Sequence, residues 1–501
     1  MHTTSRIFAV TLLAFASATA SAGHRATVVR AHTVDEIVAA MQKANSTGRP
    51  TIIRVARGHY RPTLGFSSPG LGSSRFPAVT GTIAIEGHDV DDTDFTLDGG
   101  RAFLVAPGGR LTLSDIAVTG GSGSCDEMCS YNGGGAVLNA EGVLWIERSE
   151  FSRNFAPADD VASGGAILSV RGHLHVEDTT IERNAASIGG GIAVVDGTAT
   201  IRHSIIRGNF LGAGFGNGGS LIGGGLYVGG AKVTIVDSTF SANEAGYPED
   251  DWLGFGGAIF NRGTVWMKNS SLVENTAIPY GFGGAIDNQG SMQIENTTIG
   301  ANSAGTIGGA VFNGGSLTLR GVTIARNEVW GAVLRSGEGT QSSFPPGCSV
   351  ATPELCIVGG GGIWNEPGAT VQTANSVLAS NTGPISHGGP TFSDCHGTLI
   401  SKGRNAIGSD AECVLDRQGD TSWYAEDLTN LDVKLGALQD DGRAGKAVVP
   451  LLANSPVIDQ GGRVWDRCTP LDQLGHYRSD GDADGRLRCD IGAVEFIAPS
   501  P

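Results

Sequence analysis

Residues 164–184 read GGAILSVRGHLHVEDTTIERN. Behind the glycine pair, apolar and polar residues alternate, and the alternation breaks at Arg171-Gly172 and around Asp178. Alternation in short runs bounded by turn residues predicts β-strands, three to the block. A helix would need a 3.6-residue period over a longer stretch, and none is present.

The phrase recurs along the chain. GGAVLN begins at Gly134, GGIAVV at Gly190, GGLYVG at Gly224 and GGAIFN at Gly256; GGAIDN follows at Gly283, GGAVFN at Gly308 and GGIWNE at Gly361. Each block closes on an asparagine: Asn154, Asn184, Asn209, Asn243, Asn275, Asn302, Asn327 and Asn381. From the first glycine to that asparagine the distance is 19 or 20 residues, whereas from the asparagine to the next pair it runs from 6 to 34. A fixed block with all length variation in one connection is a solenoid repeat. The predicted fold is all-β, a right-handed single-stranded parallel β-helix with coils about 4.8 Å apart. The asparagines tolerate left-handed backbone and are expected to stack as a structural ladder at one corner.

An open solenoid end exposes strand edges and needs a lid. TVDEIVAAMQKA (33–44) has Thr33 and Glu36 at capping-box spacing and puts Ile37, Met41 and Ala44 on one face, which predicts a short capping helix. TIIRVARGHYRP (51–62) reads as the first strand and turn, and GTIAIEG, DFTLDGG and RLTLSDIAVTGG as irregular early coils. The expected organisation is a cap and irregular coils over 23–130, regular repeats over 131–385, and C-terminal coils with a cap over 386–501.

Residues 1–22 carry one Arg, an apolar run from Ile7 to Ala16 and an A-S-A ending, which predicts a secretory signal cleaved after Ala22. No stretch is long enough to span a bilayer. The expected protein is secreted or periplasmic. In such a compartment the eight cysteines pair as close neighbours: Cys125/Cys129, Cys348/Cys356, Cys395/Cys413 and Cys468/Cys489. A net charge of -16 argues against nucleic acid as a partner, and an anionic polysaccharide would need a bridging cation. Nothing in the sequence bears on oligomeric state.

Two resemblances narrow the class. The GGAI and FxxN phrases over 130–385 resemble the repeats of polymorphic outer-membrane proteins and other surface proteins of the pectin-lyase-like superfamily, which includes lyases, hydrolases, adhesins and structural spikes. DCHGTLISKGRNAIGSDAEC (394–413), NSPVIDQGG (454–462) and RCDIGAVEF (488–496) are similar to the choice-of-anchor Q domain of bacterial extracellular proteins. Members of that family usually continue into a sorting signal; this chain ends in IAPSP, so release or periplasmic residence is the expectation.

The enzymes of the superfamily carry short catalytic phrases, and neither an N-T-D nor an R-I-K phrase occurs in the coils. The QDD at Gln439–Asp441 lies outside the repeats, and Glu147, Glu177 and Asp237 read as solvated outward positions. No serine or cysteine nucleophile with a positioned histidine is visible. GFGNGG (214–219) has dinucleotide-loop spacing, but no helix pattern follows it, so glycine density accounts for the match.

The variable connections are richer. Their 85 residues hold ten aromatics, nearly twice the chain's 6%, and all emerge along one edge of the solenoid. Phe215, Tyr247, Trp252, Tyr280 and Trp330, with Glu249, Asp250 and Asp251, are the candidate ligand-binding residues, since elaborated loops on a rigid scaffold build recognition sites. Carbohydrate or a surface protein is the expected partner; a polysaccharide lyase or glycoside hydrolase with its site in these loops, and a purely structural surface protein, are the alternatives. One metal-like phrase, SDGDADGRLRCD (479–490), aligns Asp480, Asp482 and Asp484 ahead of Gly485 as half a calcium loop, with Ile491 where a chelating Glu would stand. Calcium is the one cofactor this suggests.

Overall fold

A computed structural model describes residues 25–123, 130–156, 162–211, 221–246, 253–330, 359–383, 394–417, 426–462, 468–478 and 488–497. The chain is a right-handed parallel β-helix, with one α-helix among the described residues, at its N-terminal end.

Helix α1 (Val34–Thr47) starts where the capping box places it: Thr33 Oγ1 accepts from the Glu36 N–H at 3.2 Å. The Glu36 side chain reaches one residue further back, accepting from the His32 N–H at 2.6 Å. Gly48, at φ 65°, ends the helix with its N–H on the Ala44 carbonyl. Ile37, Met41 and Ala44 are buried against the first coils. A strand at Thr27–Ala31 precedes the helix and pairs in parallel with Thr51–Val55. The solenoid therefore begins one strand earlier than the sequence pattern indicated.

Six of the regular coils have at least four strands rather than three, while the first and last have three among the described residues. In the coil from Gly256 the four are an entry strand (Ile259–Asn261), a long strand (Thr264–Lys268), a third strand (Ser271–Val273) and a short strand (Thr276–Ala277). The extra pieces come from tight corners. Residues such as Glu141, Arg171 and Asp196 take positive φ between entry and long strands, and the asparagine corner leaves a two-residue strand behind it. Entry and long strands form one sheet of 23 strands, third strands a sheet of 13, and short strands a sheet of 6. Register is exact from coil to coil: His173 pairs with Thr198, Thr198 with Lys232, and Lys232 with Thr264.

Strand register also corrects the phase of three repeats. Ile167 pairs with Ile192 and Leu226 with Ile259, so the first glycines of the coils are Gly189, Gly223 and Gly360, one residue before Gly190, Gly224 and Gly361. Those three are the positive-φ members of triplets, and Gly191, Gly225 and Gly362 fill the buried place that alanine holds in Ala166 or Ala258. A glycine triplet hides its own phase.

Inward residues stack into one continuous core, including Leu144, Val176, Ile201, Ile235, Met267, Ile294 and Leu319 on the long strands. After Asn381 the chain adds coils through Cys395–Ser401, Ala406–Ile407, Glu412–Asp416 and Leu428–Thr429. The described residues of 430–462, 468–478 and 488–497 lie along the outside of the third strands as a strap. Gly445 N–H donates to Thr239 Oγ1, Gln473 bonds Ser271 and Thr298, and the Ala493 N–H donates to Thr323 Oγ1. The disulfide Cys468–Cys489 ties the strap to itself, and Cys395–Cys413 ties the last coils. Cys125, Cys129, Cys348 and Cys356 lie outside the described residues.

Candidate functional site

The corners show what the recurring polar residues of each block do. At the third corner Asn184 Oδ1 accepts from both the backbone N–H and the Nδ2 of Asn154, at 2.9 and 3.1 Å. The same pair of hydrogen bonds links Asn209, Asn243, Asn275, Asn302, Asn327 and Asn381 in turn. All eight are fully buried, and their amides also donate to strand carbonyls, as Asn275 does to Phe240. Nothing is left for a ligand. Asp394 closes the column, accepting from Asn381 at 2.8 Å, and burial pushes its carboxyl up to about 6. A second column joins Asn261, Asn288, Asn313 and Asn365 at the first corner through 2.7–2.8 Å bonds. Its signal was the closing N of GGAIFN, GGAIDN and GGAVFN.

The variable connections run from a short strand to the next entry strand, so the outer faces of those two strands flank them. On the short strands, Phe155, Ala185, Phe210, Glu244, Thr276, Ser303 and Glu328 lie in register. Phe155 and Phe210 are each 42% exposed, with only buried Ala185 between them. At the other end Trp330 is 55% exposed, and its indole N–H donates to Glu328 Oε1 at 2.5 Å, which Ser303 Oγ also reaches. Burial raises the Glu244 carboxyl.

On the entry strands the outward column begins aliphatic, with Leu104, Leu138, Leu168 and Ala193, and turns aromatic at Tyr227. Phe260, Asp287, Phe312, Trp364 and His396 continue it. Tyr227 stacks on Phe260, and Trp364 lies parallel to His396 with ring centres 3.7 Å apart. Asp287 breaks the aromatic run. It is 1% exposed, and among the described residues its carboxyl accepts one hydrogen bond, from Gln289 Nε2 at 2.7 Å. Burial drives its carboxyl up to about 7, against the pull of Gln289 and Arg262; Glu366 pushes in the same direction as burial. Arg262 sits over the Phe260 ring at 5.2 Å. A carboxyl that titrates near neutrality between aromatic rings can donate or accept a proton at physiological pH.

Of the residues singled out in the connections, Trp330 is on this flank, and Tyr280 is half-buried with its carbonyl accepting from Thr306 Oγ1. Phe215, Tyr247, Glu249, Asp250, Asp251 and Trp252 lie outside the described residues, as do Asp480, Asp482 and Asp484. Among the described residues no group of three or more His, Cys, Asp and Glu side chains is arranged to hold a metal ion, and no helix is long and apolar enough to cross a membrane. Asp441 pairs with Arg443 in the strap, away from the connections.

One outward carboxylate departs from expectation. Glu177 and Asp237 are partly solvated, but Glu147 is 1% exposed, and burial raises its carboxyl. Arg148 holds one oxygen at 2.8 Å while bridging to Asp115; the other oxygen is unpaired. On the same face Trp145 lies against His175, the two rings tilted by 30° with centres 3.7 Å apart.

No protein-family model matches the chain, and no curated protein matches its sequence. Among solved structures it is similar to a PL6 family alginate lyase, AlyGC, at 12% identity and a TM-score of 0.37. The likeness covers 89% of this chain and 60% of that one, so the chain spans less than two thirds of its length.

Proposed function

We propose that the protein is an exported β-helix that binds an extended carbohydrate along the row of variable connections. The observation that supports it is the outward column of the short strands. Exposed Phe155 and Phe210 stand at one end, exposed Trp330 at the other, and Glu244, Ser303 and Glu328 lie between. Six coil spacings make the column about 29 Å long, enough for several sugar rings in a row. Aromatic faces take the apolar sides of such rings, and carboxylates and hydroxyls accept from and donate to their hydroxyls. The two disulfides fit an oxidising compartment, in keeping with the signal-like N-terminus and the anchor-Q-like phrases.

Phe210→Ala and Trp330→Ala test the reading. Both side chains are largely exposed, so the fold should keep its melting temperature while glycan-array binding falls about tenfold. Unchanged binding in both variants would sink it, and a wild type that binds no glycan would leave a structural protein.

A second reading, polysaccharide cleavage, is favoured by Asp287 alone. Incubation with uronic-acid and neutral polysaccharides, with and without calcium, would reveal unsaturated products or new reducing ends. Such products from the wild type, lost in Asp287→Asn, would replace binding with catalysis as the conclusion.

A further inference from the structure

Charge in the variable connections is one-sided. From each corner asparagine to the next glycine pair, the seven segments hold nine Asp and Glu and one cation, Arg335; all ten fall in 155–163, 244–255 and 328–360. The whole chain has 50 Asp and Glu to 34 Lys and Arg, so its average does not account for the excess. Two of the nine stand beside exposed aromatic rings. Glu244 is in register with Phe210 on the neighbouring coil, and Glu328 accepts from the Trp330 indole N–H and from Ser303 Oγ through one oxygen.

No cation of the described fold answers these carboxylates. Glu244 is half-buried, burial raises its carboxyl, and among the described residues neither it nor Glu328 forms an ion pair. At the early end Arg153 and Arg183 occupy the corner beside Phe155 and Ala185. From Phe210 onward the same corner row is Gly208, Ala242, Glu274, Ala301 and Arg326. Arg326 is turned away to the strap, where it donates to the carbonyls of Leu435 and Gly436. On the other flank, Ile222, Phe255, Phe282 and Ile307 carry no charge. The stretch from Phe210 to Trp330 therefore presents carboxylates and aromatic faces, a combination that suits a cation attached to an apolar ring.

We propose that this stretch takes an amine-bearing glycan, a chain of glucosamine-type residues whose ring faces lie on Phe210 and Trp330 and whose ammonium groups pair with Glu244 and Glu328. The proposal rests on the carbohydrate reading above and names the class of sugar. A ring seated on Phe210 has its edge one coil spacing, about 4.8 Å, from the row of Glu244. At the other end the indole N–H holds Glu328 beside the ring that Trp330 would stack. An ammonium so placed offsets the cost of keeping Glu244 ionised and half out of water. The same carboxylates repel a uronic-acid chain, and a neutral sugar leaves them without a counter-charge.

The test uses the full chain with a β-1,4-linked glucosamine oligomer, the same oligomer N-acetylated, and oligolysine as probes, at about 20 and 200 mM salt. Acetylation keeps the ring and removes the charge. The wild type should bind the glucosamine oligomer about tenfold more tightly than the acetylated one at the lower salt, and about threefold at the higher. The double variant Glu244→Gln, Glu328→Gln should bind the acetylated oligomer as the wild type does, which reports an intact fold, and lose the preference. Trp330→Ala should weaken both oligomers by a similar factor, about tenfold. Equal wild-type affinity for the two oligomers, or a preference that survives in the double variant, overturns the amine class and leaves the carbohydrate reading standing. Failure to bind either oligomer while other glycans are retained on the array has the same meaning, and failure to bind any glycan ends both. Oligolysine bound as tightly as the glucosamine oligomer also overturns the proposal, because charge alone would then explain the attraction.

Discussion

Asp287 stands where neighbouring coils place Phe260 and Phe312. The substitution costs stability. In the unfolded chain the carboxyl titrates near 3.8, and in the fold near 7. Below the lower value both states hold the proton and there is no penalty. Between the two, the folded state binds more proton, so stability falls as pH rises; above about 7 the whole penalty, on the order of a few kcal/mol, remains. Asp287→Asn should therefore melt with the wild type near pH 3.5 and several degrees above it at pH 8. A difference that stays constant across that range would show that Asp287 is not a buried acid. The odd letter was readable in GGAIDN, but its burial was not. Outward strand positions are normally solvated, and the same rule misplaced Glu147.

At the scale of elements, the third strands change character along the solenoid. Their outward positions are Glu150, Glu182 and Arg207 in the early coils, then Ser271, Val273, Gly300, Ala325 and Ala379. The change begins where the strap arrives. Ala325, Val377 and Ala379 pack with Val433, Leu435, Val449, Leu451 and Ile491, and a Cβ at Gly300 would stand 3.2 Å from Val449 Cγ2. Small residues let the strap lie flat. This shift was visible in the repeats, yet an apolar outward position does not say what covers it, and the strap has no period to mark its path. Ala325→Glu buries an unpaired carboxylate in that contact, at a cost of several kcal/mol. Limited proteolysis should then release fragments from residues 430–497 while the coils stay intact. Resistance equal to the wild type would mean that the strap is held without this patch.

The whole molecule was legible where distances repeat and opaque where they vary. Invariant spacing between glycine pair and asparagine follows from coil-on-coil stacking, in which every residue faces its counterpart about 4.8 Å away. The connections answer to no such constraint, so their aromatics announce a surface without a geometry. Stacking also makes each coil a neighbour-only unit, with stability close to a sum over coils and interfaces. Excising one coil, residues 164–188, joins Ser163 to Gly189 and brings Val137 against Ile192 and Asn154 against Asn209 in the existing register. The strap contacts coils from Thr239 onward, so this deletion leaves it untouched. Excising 283–307 is geometrically equivalent for the coils but removes Asn296 and Thr298, which hold the strap at Leu471 and Gln473. It also shortens by one coil spacing the face between Ser271 and Thr323, where Ala447 and Ala493 are anchored. The first deletion should fold with a melting temperature within a few degrees of the parent, and the second should fold its coils but expose the strap to protease. Equal damage from both would mean that the solenoid folds as one indivisible body.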